Sequence, residues 1–269
     1  MNPDQTSGPD QPDPHWRWID WPVAGVRAGY SLRTGGFSAA PYDSFNLGDH
    51  VGDDPQAVAA NRQRLTDTLG VRPVFLKQVH GWDVQALPCA DATRADACFS
   101  EQNDVACCIM VADCLPILFS DHRGQVVAAA HAGWRGLCGQ GGHGVIEALL
   151  TDLRQRHPDA RWLAWLGPCI GPTAFEVGAD VRDAFCALDR TDRPHAATHF
   201  KPITGVPGKW WCDLPALARE RLQALGVTRI SGNDGSLAWC TVSRPDAYFS
   251  HRRDRVSGRL ATAIFLTSF

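Results

Sequence analysis

Residues 126–145 read VVAAAHAGWRGLCGQGGHGV, and no other stretch constrains the fold as tightly. Small and β-branched apolar residues run without a break into His131, and glycines follow at once. A short apolar run bounded by a turn reads as a buried strand. The glycines supply the backbone freedom for a sharp reversal. The chain thus brings a histidine to the end of a core strand and turns beside Arg135.

The rest of the chain supplies a scaffold for that strand. Apolar, β-branched runs between Gly, Asp and Pro predict further strands at 26–33, 74–79, 83–87, 105–111, 117–120, 162–166, 229–231 and 260–266. One helix opens at Asp53, Asp54 and Pro55 and stops at Gly70. A second follows Gly178, with Val181, Ala184, Phe185 and Leu188 as its apolar stripe. A third is capped by Asp213, buries Leu214, Leu217, Ala218, Leu222 and Leu225, and ends at Gly226. A fourth covers 145 to about 156. Strands and helices mix without strict alternation. The expected fold is α+β: one domain over 16–269, with mixed sheets flanked by helices.

Residues 1–15 are rich in Pro, Asp and Gln and read as a disordered arm. They lack the basic and apolar regions of a signal peptide, and no apolar run approaches a membrane span. The expected location is the cytoplasm. Net charge is −3 and no segment concentrates Lys and Arg, so neither nucleic acid nor an acidic membrane is an expected partner. Ten cysteines without a C-x-x-C pair read mostly as small buried apolar groups.

Three segments place a metal-competent side chain at a strand end. They are FLKQVHGWDV with His80, CCIMVADCLPILFSD with Cys114, and the opening stretch with His131. Pro116 cannot donate to a ladder, so regular pairing is expected to end near Cys114. Two imidazoles and one thiolate make a tetrahedral Zn²⁺ set with a fourth position open, the pattern of a catalytic site. The residues alone also allow two core histidines and a buried thiol. Arg135 reads as a phosphate or oxyanion partner, in a turn where Gly136, Gly139, Gly141 and Gly142 would let backbone N–H groups approach a ligand, or as a side chain packed on Trp134 or paired with a surface acid. Arg33 in LRTGGFS and Asn46 in FNLGDHVGDDP are further candidates for binding substrate or phosphate; turn-making explains them too.

In order along residues 25–269, RTGGFS, NLGDHVGDDPQAVAANR, LKQVHGWDV, ADCLPILFSD, AAAHAGWRGL, LGPCIGPTAFEVG, WCDLPALARERL and FSHRRD carry a resemblance. The sequence resembles the YfiH-type, or laccase-domain, family. That resemblance implies a zinc ion on His80, Cys114 and His131, which would also be the catalytic residues. It implies phosphorolysis of adenosine, inosine, guanosine and methylthioadenosine to free base and ribose 1-phosphate, with adenosine deamination as a second activity. Purine nucleoside and inorganic phosphate are then the partners.

Two features depart from the family pattern. His251 stands where a tyrosine is expected, and the turn LCGQGGHG is longer than expected. Asp113 and Glu176 are the candidates for a general acid or base. The rival readings are a cysteine hydrolase using Cys114 and His131, acting on peptidoglycan precursors; a copper-dependent polyphenol oxidase; and a non-catalytic module stabilised by zinc. A multicopper enzyme would show H-x-H pairs, and this sequence has none among its ten histidines.

Overall fold

The computed structural model describes residues 15–187 and 196–267. Nearly all of the expected N-terminal arm, and Leu188 of the expected apolar stripe, lie outside the described residues.

Two sheets form the body. The first has five strands in the order β1-β2-β14-β6-β3: β1 (Trp16–Ile19), β2 (Val26–Ser31), β14 (Leu260–Leu266), β6 (Val105–Val111) and β3 (Arg72–Phe75). The second has six, in the order β13-β9-β7-β8-β5-β4: β13 (Arg229–Gly232), β9 (Trp162–Leu166), β7 (Leu115–Asp121), β8 (Val127–Ala132), β5 (Ala97–Ser100) and β4 (Val84–Ala86). Parallel and antiparallel pairs occur in both. A small third sheet joins β10 (Glu176–Gly178), β12 (Lys209–Cys212) and β11 (Phe200–Pro202).

Strand parity explains the layering. In β6, Cys107, Ile109 and Val111 face the second sheet, where Leu118, Val127, Ala129 and Leu163 meet them. Ala106, Cys108 and Met110 point the other way, toward α1 (Pro55–Leu69), and pack with Leu65 and Leu69. The outer face of the six-stranded sheet is covered by α3 (Val145–Arg156), α4 (Ala179–Cys186) and α5 (Leu214–Ala224). Two short helices, α2 (Trp134–Cys138) and α6 (His251–Asp254), border the functional site. No helix among the described residues is long and apolar enough to cross a membrane.

The caps fall where the sequence puts them. Asp54 accepts from Gln56 N at the start of α1, and Asp213 from Ala216 N at the start of α5. Pro116 does not end pairing: it sits inside β7, opposite His131. The His131 N–H turns away from it to Asp96 O, and Pro116 O accepts from Gly167 N beyond the end of β9. The missing proline N–H therefore breaks no ladder bond.

Candidate metal centre and its basic cavity

His131 shares the parity of Val127 and Ala129, whose side chains fill the space between the two sheets. Its ring therefore emerges at the end of that layer. Cys114 immediately precedes β7, and β7 pairs with β8. His80 arrives differently. It lies in the loop between β3 and β4, not at a strand end as expected, and its φ is +62°. One nitrogen from each ring and the Cys114 Sγ lie within 4.8 Å of one another. Cys114 Sγ is 3.6 Å from His80 Nε2, and the two imidazoles meet edge to face at 4.8 Å between centroids.

Asp96, fully buried just before β5, organises this meeting. Its Oδ1 lies 2.8 Å from His131 Nδ1, which leaves Nε2 for a ligand. The same carboxylate accepts backbone N–H groups from Val79, His80 and Gly81 at 3.1, 2.9 and 2.8 Å. One side chain thus holds a ring and a loop, and offsets the left-handed conformation of His80. Gln78 ties the same loop to β6 by exchanging two 2.8 Å bonds with the Met110 backbone. Gly133 follows from sterics: a Cβ there would fall 2.9 Å from both Cys114 Sγ and His80 Cδ2.

Electrostatics favour a ligating thiolate. Burial alone would raise the Cys114 thiol, but the His131 charge and hydrogen bonds from both histidines outweigh it and bring it down to about 6. Burial likewise opposes charge on His131, yet the Cys114 thiolate and Asp96 carry it up to about 9. Asp96 is pushed up by burial too, but His131 and the loop N–H groups hold it below its ordinary value. Two imidazoles, one thiolate and a carboxylate behind one ring form a donor set that fits Zn²⁺.

The triad opens into a cavity of about 510 Å³. Arg135, Arg252, Arg255 and Arg259 give its wall a cationic character, His50 and His251 also line it, and Ile170, Phe175 and Leu214 add apolar surface. Arg252, inside the FSHRRD stretch, and Arg255 and Arg259 were given no role from the sequence, because no local pattern marks them as facing a common cavity. Asp96 was missed because no local pattern marks it either.

The other candidates divide. Arg135 reaches the cavity and also stacks on Trp134, with Cζ 4.4 Å from the ring centre. Arg33 does not line the cavity; it bonds to Asp43 O and Pro245 O and lies over Phe249. Asn46 is fully buried and does not line it either, but its Oδ1 accepts from Arg259 N at 2.8 Å. It therefore fixes the backbone of a residue that does. Asp113 lines the cavity with φ +96°, its two oxygens held by Thr241 Oγ1 and Arg252 N at 2.6 Å each. Glu176 stays outside the cavity, paired with Lys209. Gly136, Gly139, Gly141 and Gly142 do not line the cavity. Arg221 donates to Cys138 O, Gly142 O and Glu147, and folds the turn onto α3 and α5.

The family described as "Multi-copper polyphenol oxidoreductase laccase" matches residues 27–267. Over 252 residues the chain is 48% identical to a Pseudomonas aeruginosa protein named purine nucleoside phosphorylase PA4543, spanning 93% of this chain and 98% of that one. It is 45% identical to Escherichia coli purine nucleoside phosphorylase YfiH, spanning 91% and 96%. The crystal structure of Neisseria meningitidis protein NMB0706, assigned to DUF152, superposes with a TM-score of 0.83 at 42% identity and covers 94% and 100%. YlmD from Geobacillus stearothermophilus gives 0.83 at 31% identity, covering 96% and 98%.

Proposed function

The chain belongs to the multi-copper polyphenol oxidoreductase laccase family, and on that premise we propose that it is a purine nucleoside phosphorylase working at a zinc ion held by His80, Cys114 and His131. One observation carries the reading: three soft or borderline donors converge on the floor of a cavity whose wall is cationic. The names of relatives at 48% and 45% identity support the reaction class.

The chemistry asks for two kinds of contact. Inorganic phosphate must approach C1′ of the ribose, the C1′–N9 bond must break, and the electron pair must leave with the purine. Arg135, Arg252, Arg255 and Arg259 supply positive charge to hold the phosphate and offset the charge developing in the transition state. Ile170, Phe175 and Leu214 offer apolar surface to the nucleoside. Bound zinc would act as a Lewis acid toward a substrate oxygen. Asp113, with both oxygens engaged, orients Thr241 and the start of α6; it is poorly placed to exchange a proton. Adenosine, inosine, guanosine and methylthioadenosine are the proposed substrates, and adenosine deamination the proposed side activity.

The test is an assay of zinc-loaded protein with inosine and with adenosine, with and without phosphate. Free base released only when phosphate is present supports the reading, and ammonia from adenosine supports the deaminase activity. Absence of phosphate-dependent base release from every nucleoside named overturns it.

A second reading has its own observation. Cys114, His131 and Asp96 stand in the order of a thiol nucleophile, its base and the group that orients the base. A chelator separates the two: it abolishes zinc-dependent turnover and frees a thiol enzyme. The polyphenol oxidase reading has less support. Among the described residues one group of three His, Cys or acidic side chains is close enough to hold an ion, whereas multicopper oxidation uses several centres.

A further inference from the structure

We propose a second anion-binding site, independent of the catalytic reading, at the opposite end of the six-stranded sheet. The metal centre lies where β7 begins and β8 ends, beyond the Leu166 end of β9. The other end of β9, at Trp162, pairs with Asp121. At about 3.3 Å per residue the two ends of this strand are roughly 13 Å apart. A cleft of about 470 Å³ opens there, lined by His122, Arg154, Arg161, Trp162 and Arg229 among others.

The charge of this cleft has one sign. Three arginines and a histidine line it, and no Asp or Glu does. Among the described residues, the guanidinium groups of Arg161 and Arg229 bond to nothing, although both are exposed. Arg154 donates only to the Leu225 carbonyl, a neutral partner. His122 Nδ1 accepts from Arg161 N, so any proton on this ring sits on Nε2. A cluster of like charges with no carboxylate in its lining attracts an anion. Trp162 is also in the lining, and its Nε1 is buried with no hydrogen-bond partner among the described residues. Buried donors of this kind normally find an acceptor, from protein, water or ligand.

The ligand class follows from the donors. Guanidinium forks match phosphoryl oxygens bidentately, and three of them exceed what a single negative charge requires. The cleft fits a small anion carrying two or more charges, of the diphosphate type.

Inorganic pyrophosphate is the probe. The full-length protein, labelled with ¹⁵N, is titrated while the Trp162 indole N–H resonance is followed; Trp162→Phe identifies the signal. The site predicts a saturable shift that persists in Arg259→Ala, whose change lies in the catalytic cavity. In Arg161→Ala/Arg229→Ala, affinity should fall about tenfold or more. Both substituted side chains are exposed, so a thermal melt should stay close to that of the parent. Three results would overturn the proposal: no shift, a shift reproduced by chloride at equal ionic strength, or a saturable shift unchanged in the double variant.

Discussion

The Asp96 carboxylate lies 2.8 Å from His131 Nδ1, and both residues are buried. It also holds three backbone N–H groups of the loop that carries His80. An amide in its place keeps the size but loses the charge, and one of its two ends donates where the loop needs an acceptor. Asp96→Asn should weaken zinc binding by about 10–100-fold. It should also destabilise the fold by about 1–3 kcal/mol. Competition against a chromophoric chelator and a denaturant melt measure the two effects; unchanged zinc affinity would refute the role given to Asp96.

Gly133 tests how closely Cys114 and His80 are packed. Its φ of −65° suits alanine, so the backbone would not object. The added methyl would meet Cys114 Sγ and His80 Cδ2. Gly133→Ala should therefore lose about tenfold or more in zinc affinity, because ligands must stay within about half an ångström of their geometry. Thermal stability of the metal-free protein should move much less. Equal zinc affinity in a folded variant would show that the site tolerates the shift.

The thiolate at Cys114 has a pH signature. An ordinary cysteine reacts with iodoacetamide at a rate that falls as pH drops below about 8–9. In the metal-free protein, Cys114 is held down to about 6, so it stays a thiolate through neutrality. Its alkylation should fall only as pH drops through about 6, and zinc should protect it at pH 7. Peptide mass spectrometry reads the site; a midpoint near 9 would contradict the ion pair with His131.

Asn46 acts at one remove from the cavity. Its Oδ1 accepts from Gly48 N and Arg259 N, and its Nδ2 donates to Gly48 O and Asp53. Asn46→Ala should cost about 1–3 kcal/mol in stability through the donors left unmet. It should also raise the KM for phosphate, through Arg259, more than it lowers kcat. Arg33→Ala should leave the KM for phosphate where it was, since that guanidinium lies away from the cavity. Steady-state kinetics with phosphate varied would reveal the opposite pattern if Arg33 were the contact.

Local signals were legible in the sequence, and tertiary ones were not. The runs 105–111, 162–166 and 260–266 are buried on both faces, and their observed strands have those same limits. Asp54 and Asp213 cap helices through bonds that span two or three residues. The strands at Glu176–Gly178, Phe200–Pro202 and Lys209–Cys212 escaped notice because they are three or four residues long and pair only with one another. Trp16–Ile19 escaped because it is a four-residue edge strand. The three side chains of the candidate metal centre stood out through their motifs. Asp96 did not, because its partners come from residues 79–81 and 131, and no spacing rule links those positions to a lone acid. The packing of the glycine turn was illegible for a related reason: what holds it is Arg221, some 80 residues further on in the chain.

Zinc K-edge absorption on the zinc-loaded protein tests the central claim most directly. The account predicts one sulfur at about 2.3 Å and two imidazole nitrogens at about 2.0–2.1 Å, with the sulfur shell lost in Cys114→Ser. A spectrum without sulfur in the parent protein, or one that keeps its sulfur in the variant, would contradict it.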